Sequence, residues 1–298
     1  WRGYRIVAPP LDWAIRSEPF VKHCNGLFGS QSEHFLDWTS HIAQKPRELP
    51  STAWLHISKK TGTGRNLIAS ILGRAFIGYT ALAYPLSDNL HRGFNGELAG
   101  KVLAVVDEID EGNSHRKYEL QQDLKRLITE EHRLVNPKCE RQRMEFNSCR
   151  FLIFSNSPAA LPLEEDDRRF NVVQFEGEPQ APEYYSELYR LRDDPDFIAS
   201  VMQFLLSRDI SHFNPGERAH MSMAKAALLE RTRSEDEQVL HDIVDRWPVD
   251  IITSAEVRGI IGERALGGPA MGHALARANI AKVGQWFAPS MFGGRSKV

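Results

Sequence analysis

The chain has 298 residues, 42% hydrophobic and 26% charged, and 37 Lys and Arg against 39 Asp and Glu give a formal net charge of −2. That length suits about two domains with a core large enough to need no staples, which excludes a disulfide-held mini-protein. The near-neutral balance excludes a polycationic surface, so any contact with nucleic acid must come from local patches.

The longest strongly apolar run, Val102 to Val106, is far short of a bilayer span, so a soluble protein without a membrane partner is expected. Cys24, Cys139 and Cys149 are scattered, with no CxxC pair and no His/Cys cluster at zinc-ligand spacing, which fits a reducing cytoplasm. The chain opens on Trp1 without a basic-then-apolar leader and is expected to be a piece of something longer, with domains upstream.

Residues 1 to 50 are rich in Pro, Trp and His. Phe35, Leu36, Trp38, Ile42 and Ala43 recur at near-helical spacing, which predicts a small helical lead-in. A short β-prone segment, 53 to 57, runs into Ser-Lys-Lys-Thr-Gly-Thr-Gly-Arg-Asn and then into the helix-periodic Leu67, Ile68, Ile71, Leu72 and Ala75. This is strand, glycine loop, helix. Lys101-Val-Leu-Ala-Val-Val-Asp-Glu-Ile-Asp110 and Arg150-Phe-Leu-Ile-Phe-Ser-Asn156 are apolar at successive positions and end in polar groups, as central parallel strands covered on both faces do. Three such strands separated by helical stretches predict an α/β core, 51 to 180, with a mostly parallel sheet and a ligand at the strands' carboxyl ends.

After Pro179 helical patterns at about 184 to 207 and 222 to 247 predict a second, mainly helical domain, 181 to 298. Thr253 or Ser254 ahead of Glu256 forms a capping box, and a further helix is expected at about 270 to 282. Residues 251 to 298 hold six Lys or Arg against two Glu, an excess of +4. From about 235 this basic tail reads as a winged-helix module, with Leu275-Ala-Arg-Ala-Asn-Ile-Ala-Lys-Val leading into a wing, or equally as a helical lid.

The glycine loop can cradle an anion with its backbone N–H groups and the N-terminus of the next helix. Against G-x-x-x-x-G-K-[ST] only Gly64 matches; Lys59 stands at the first glycine, Arg65 at the lysine and Asn66 at the hydroxyl position. Alone it is as readily an ordinary glycine turn. Asp107 and Glu108, closing an apolar strand, would hold Mg²⁺ and activate water as a general base, or cap a helix. Asn156 can orient water or meet a γ-phosphate. Arg168 and Arg169 offer guanidinium forks for a transferring phosphoryl group, or a salt-bridge cluster with Glu164, Glu165, Asp166 and Asp167.

In order, G-T-G-R-N, V-L-A-V-V-D-E, F-L-I-F-S-N-S-P and D-D-R-R-F resemble the Walker A, Walker B and motif C series of superfamily 3 helicases, AAA+-type P-loop ATPases of viruses, phages and other mobile elements. The likeness is nearest to the phage and mobile-element branch, where the module often follows a primase or primase-polymerase. Phe94-Asn-Gly-Glu-Leu98 fits that branch, as does Trp1-Arg-Gly-Tyr4 with the Trp38 segment; the resemblance covers about residues 1 to 180.

The resemblance implies an ATP-dependent replicative DNA helicase in a bacterial host's cytoplasm, working on single-stranded and forked DNA as a homo-oligomeric ring, a hexamer. Gly62, Thr63, Gly64, Arg65 and Asn66 would hold ATP, Asp107 and Asn66 Mg²⁺, Glu108 the lytic water, with Asn156 as sensor. Arg168 or Arg169 would be an arginine finger reaching into the neighbouring subunit's site. The family's DNA-contacting hairpin falls between Walker B and motif C, an interval containing Lys125, Lys138, Arg141 and Arg143, with Lys138 the foremost candidate. Residues 131 to 150 carry five basic groups against three acids, an excess of +2 that a ring would concentrate on DNA; the interval also suits a solvated charged turn. Arg65 and Asn66 depart from the family's pattern. They leave open a nucleotide-binding, non-hydrolysing DNA-binding or loading scaffold.

Overall fold

The computed structural model describes residues 3–109, 114–159, 161, 163, 166–232, 256–257, 275, 280, 287–289 and 295–297. Trp1 through Leu228 form one compact unit, and Leu229 onward forms a second.

The first unit is built on a five-stranded parallel sheet in the order β2-β3-β6-β1-β7. Its strands are β1 (Ala53–Ser58), β2 (Thr80–Ala81), β3 (Leu103–Val106), β6 (Arg150–Ser155) and β7 (Phe170–Phe175). Every residue of β1, β3 and β6 is buried, the pattern of strands covered on both faces, so the α/β class with a mostly parallel sheet stands as expected. The helices are α1 (Trp13–Phe28), α2 (Ser32–Gln44), α3 (Arg65–Ala75), α4 (Leu86–Arg92), α5 (Ser114–Thr129), α6 (Pro182–Arg192), α7 (Pro195–Ser207) and α8 (Met223–Thr232). Between α5 and β6, β4 (His132–Val135) and β5 (Arg143–Phe146) pair antiparallel as a separate hairpin.

The N-terminal fifty residues are more than a lead-in. Both α1 and α2 pack on α7, and Phe20, Phe28, Phe35 and Trp38 join Trp54 of β1, Leu72 of α3 and Phe197 and Val201 of α7 in one core. The Phe28 and Phe35 rings stack with centroids 3.7 Å apart, and both meet the Trp54 indole edge-on. Because α6 and α7 close the same core, the expected breaks at 50 and 180 fall inside one body, and the first unit ends near 228.

In the second unit β8 (Phe287–Pro289) and β9 (Arg295–Lys297) pair antiparallel. The expected capping residues Thr253 and Ser254, the helices beyond 232 and at 270 to 282, and Glu164 and Glu165 lie outside the described residues. No helix among the described residues is long and apolar enough to cross a membrane.

Candidate active site

Parallel pairing sets the carboxyl ends of three strands side by side: Ile57 of β1 lies opposite Ser155 of β6, and Val106 of β3 opposite Ile153. The chain therefore leaves β1 into the glycine loop, β3 into Asp107 and β6 into Asn156 along one rim of the sheet.

Two hydrogen bonds tie these exits together. Asn66 Nδ2 donates to Asp107 Oδ2 at 3.0 Å, and Asn156 Nδ2 donates to Glu108 Oε1 at 3.4 Å. Asn156 Oδ1 is buried and has no hydrogen-bond partner among the described residues. A buried acceptor left open at a polar rim is a position where a bound donor or water is expected.

The loop is shaped for close approach. Gly62 and Gly64 both have positive φ, +72° and +85°, in the left-handed region that favours glycine. Nothing lies within 4 Å of a Cβ built on Gly62, whereas one on Gly64 would meet His23 and Tyr185 at 2.7 and 2.8 Å. Gly64 caps α3: its carbonyl accepts from the Leu67 and Ile68 N–H groups, leaving the first N–H groups of the helix, on Arg65 and Asn66, at the open end. Thr63, between Gly62 and Gly64, is buried.

Arg65 is half-buried. Its Nη1 donates to the Ser155 carbonyl at 3.0 Å, and its guanidinium lies 5.6 Å from the Phe154 ring centroid. Burial lowers its pKa, and the charges of Asp107 and Glu108 oppose that shift. Lys60 in the same loop pairs with Glu178 beyond β7.

Fit to a nucleotide and Mg²⁺ can be judged on these groups. Mg²⁺ takes one or two protein carboxylates and completes its octahedron with phosphate oxygens and waters, so Asp107 beside Glu108 suffices. Among the described residues no cluster of three or more His, Cys, Asp or Glu forms a dedicated metal cage. The open helix end and the Arg65 cation supply donors that suit a triphosphate, and the open Oδ1 of Asn156 is an acceptor for a water beside it.

The two arginines stand elsewhere. Phe170, the first residue of β7, pairs with Ala53, the first of β1, and Ala53 N–H donates to the Arg169 carbonyl at 2.8 Å. Arg168 and Arg169 therefore sit at the amino rim, about 16 Å of strand from the glycine loop. Arg168 is exposed, while Arg169 is half-buried with Nη1 3.9 Å from Asp167. The salt-bridge reading holds in part. Asp167 is buried, accepts from the Arg169 and Phe170 N–H groups and meets the fully buried Lys225 at 3.4 Å.

The interval between the acid pair and β6 does form a hairpin, whose connection carries Lys138 and Arg141, both exposed. Arg143 on β5 is exposed and pairs with Glu145 at 2.9 Å and Glu140 at 3.6 Å. Lys125 differs from these three: on α5 it is only 8% exposed. The +2 excess needs correcting. Arg133 and Arg150 are buried and spend their donors inside the protein, Arg133 on the Leu98 carbonyl and Asn147, Arg150 on the Lys45, Pro46, Glu48 and Ser148 carbonyls. That leaves Lys138, Arg141 and Arg143 against Glu131, Glu140 and Glu145, which cancel.

Comparison with known proteins bears on the fold and kinship. The model of DUF5906, a family of unknown function, matches residues 56–169, which include the loop, the acid pair, Asn156 and both arginines. The chain is 28% identical over 223 residues to the DNA Primase-polymerase of Nitratiruptor phage NrS-1, a match covering 72% of this chain and 30% of that protein. Among solved structures, the apo C-terminal region of NrS-1 superposes with a TM-score of 0.67 at 20% identity, covering 99% of this chain and 76% of that one. A second form of the same region gives 0.63 at 22% identity, over 94% and 64%. The chain thus shares the fold of that region and spans under a third of the length of the phage relative it matches.

Residue types alone had not pointed to His23, Tyr184 or Tyr185, which enclose Gly64, nor to Lys60 and Glu178. The adjacent Tyr184-Tyr185 pair is their one visible trace in the sequence.

Proposed function

We propose that this chain is the motor part of a phage-type DNA replication protein, an ATP-dependent helicase that assembles as a ring and moves on single-stranded DNA. One observation carries the reading: a glycine loop, an acid pair and a polar strand tip converge on one rim and are joined by the Asn66–Asp107 and Asn156–Glu108 hydrogen bonds. The kinship to a phage DNA primase-polymerase supports the replication setting, and a primase or polymerase domain would lie upstream.

The phosphates would lie against the backbone of Gly62, Thr63 and Gly64 and the open end of α3. Mg²⁺, when bound, would neutralise charge building on the β- and γ-phosphates. Asp107 would hold it, with Asn66 positioned beside that carboxylate to contribute its carbonyl oxygen. Glu108 is exposed at the rim and held by Asn156, as a base that takes a proton from water must be. Arg168, about 16 Å of strand from its own loop, would serve a neighbouring copy's site, which makes a ring a requirement for hydrolysis. Lys138 and Arg141 on the hairpin would follow the DNA backbone.

The assembled protein is expected to hydrolyse ATP faster when single-stranded DNA is added, and Glu108→Gln is expected to lower that rate at least a hundredfold while nucleotide still binds. A wild-type ring with no ATPase activity overturns the motor. That outcome would favour the second reading, a nucleotide-binding scaffold, which draws on the engagement of Arg65 by the Ser155 carbonyl.

A further inference from the structure

His23 of α1 is 3% exposed and touches the glycine loop directly. Its Nε2 lies 3.0 Å from the Gly64 carbonyl and its Nδ1 lies 3.1 Å from the Tyr184 hydroxyl of α6. A carbonyl can only accept, so Nε2 carries the hydrogen and donates. Burial lowers the pKa of the ring and favours its neutral form, in which Nδ1 must then accept from the Tyr184 O–H. The direction of both bonds is thereby fixed: Tyr184 to His23 to Gly64.

The ring is also packed in place. Tyr184 and Tyr185 lie 5.7 and 6.4 Å from it, centroid to centroid, and the space a Cβ on Gly64 would need is filled by His23 and Tyr185. Three elements distant in sequence, α1, α6 and the loop, are thus joined at one peptide group.

That peptide group is the one that matters for an anion. The Gly64 carbonyl and the Arg65 N–H belong to the same planar trans peptide and point in opposite directions. The Leu67 and Ile68 N–H groups already turn that carbonyl into the helix, and His23 adds a third bond from outside it, so the Arg65 N–H is aimed the other way, out of the open end of α3.

We propose that His23 is a positioning residue for nucleotide binding: its Nε2–H bond orients the Gly64–Arg65 peptide so that the Arg65 N–H meets a phosphate oxygen, with Tyr184 holding the imidazole in the donating tautomer. The inference rests on the nucleotide reading of the loop. His23 itself touches no substrate atom.

The test is calorimetric titration of the whole chain with ATP and Mg²⁺. His23→Phe keeps a flat ring but loses the donor, and ATP affinity is expected to fall about tenfold, the change that the loss of one well-placed hydrogen bond brings. His23→Gln, whose amide can donate to the same carbonyl, is expected to recover most of that loss. Affinity for single-stranded DNA is expected to stay constant in both. Tyr184→Phe, which removes only the hydroxyl, is expected to weaken ATP binding two- to threefold. Equal ATP affinity in wild type and His23→Phe, or no recovery in His23→Gln, overturns the positioning role while leaving the nucleotide reading intact. A wild-type chain that binds no ATP overturns both. If His23→Phe does not fold, Tyr184→Phe decides, and unchanged affinity there sinks the proposal.

Discussion

Arg65 gives one N–H of its five-donor guanidinium to the Ser155 carbonyl. The side chain thereby braces the end of β6 against the start of α3, and its charge is felt by Asp107 and Glu108. A lysine has the charge but neither the fork nor the flat face that lies over Phe154. Arg65→Lys is therefore expected to lower ATP turnover at least fivefold in steady-state assays; an increase would mean that the loop is a decayed one. At this scale the sequence showed well what is local. Gly62, Gly64, Asp107, Glu108 and Asn156 sit at strand exits, and strand exits are visible as apolar runs that stop at polar residues. His23 and Tyr184 were hidden because only tertiary packing brings them to the loop. The same limit explains Lys125. Lys125 and Arg126 are neighbours on one amphipathic helix, and which of the two turns inward is decided by what α5 packs against.

The β4–β5 hairpin is held by a buckle outside itself. Asn95, in the Phe94-Asn-Gly-Glu-Leu98 run, accepts from the Asn136 N–H at 2.7 Å through its side-chain oxygen and donates to the Leu134 carbonyl at 2.8 Å through its amide nitrogen. Asn136 returns a bond to the Gly93 carbonyl, and a Cβ on Gly96 would strike Pro137 at 2.7 Å, so glycine permits the close approach there. That run is thus a structural tie for the hairpin. Asn95→Ala removes both side-chain bonds and is expected to cost about 1–2 kcal/mol locally. Hydrogen exchange of the 132–146 amides should accelerate about tenfold while amides of the central sheet keep their protection. Equal acceleration throughout the sheet would show that the tie holds the whole fold. The central strands were legible as elements because they are apolar throughout, whereas β2 has two residues and β4 and β5 are largely exposed. The helix α1 was masked by Pro19 within it.

For the molecule as a whole, the helices that flank the sheet in sequence close over it together: α1 and α2 from before β1, α6 and α7 from after β7. Composition shifts at 50 and 180 therefore marked changes of texture inside one body. No local pattern along the chain could reveal that, because it rests on the packing of α1 and α2 against α7, elements far apart in sequence. The same topology places the nucleotide candidates at one rim and Arg168 and Arg169 at the other, with Arg169 tied through Asp167 to Lys225 of α8. In the proposed ring, a finger at that far rim would serve a neighbouring copy's site. All of this depends on the carboxyl rim holding a triphosphate. The most direct test is a structure of the protein with Mg²⁺ and a non-hydrolysable ATP analogue. The account predicts phosphates against the 62–66 backbone, the metal at Asp107 and a water donating to Asn156 Oδ1 beside the phosphates. An analogue bound away from that rim, or none bound at saturating concentration, would contradict it.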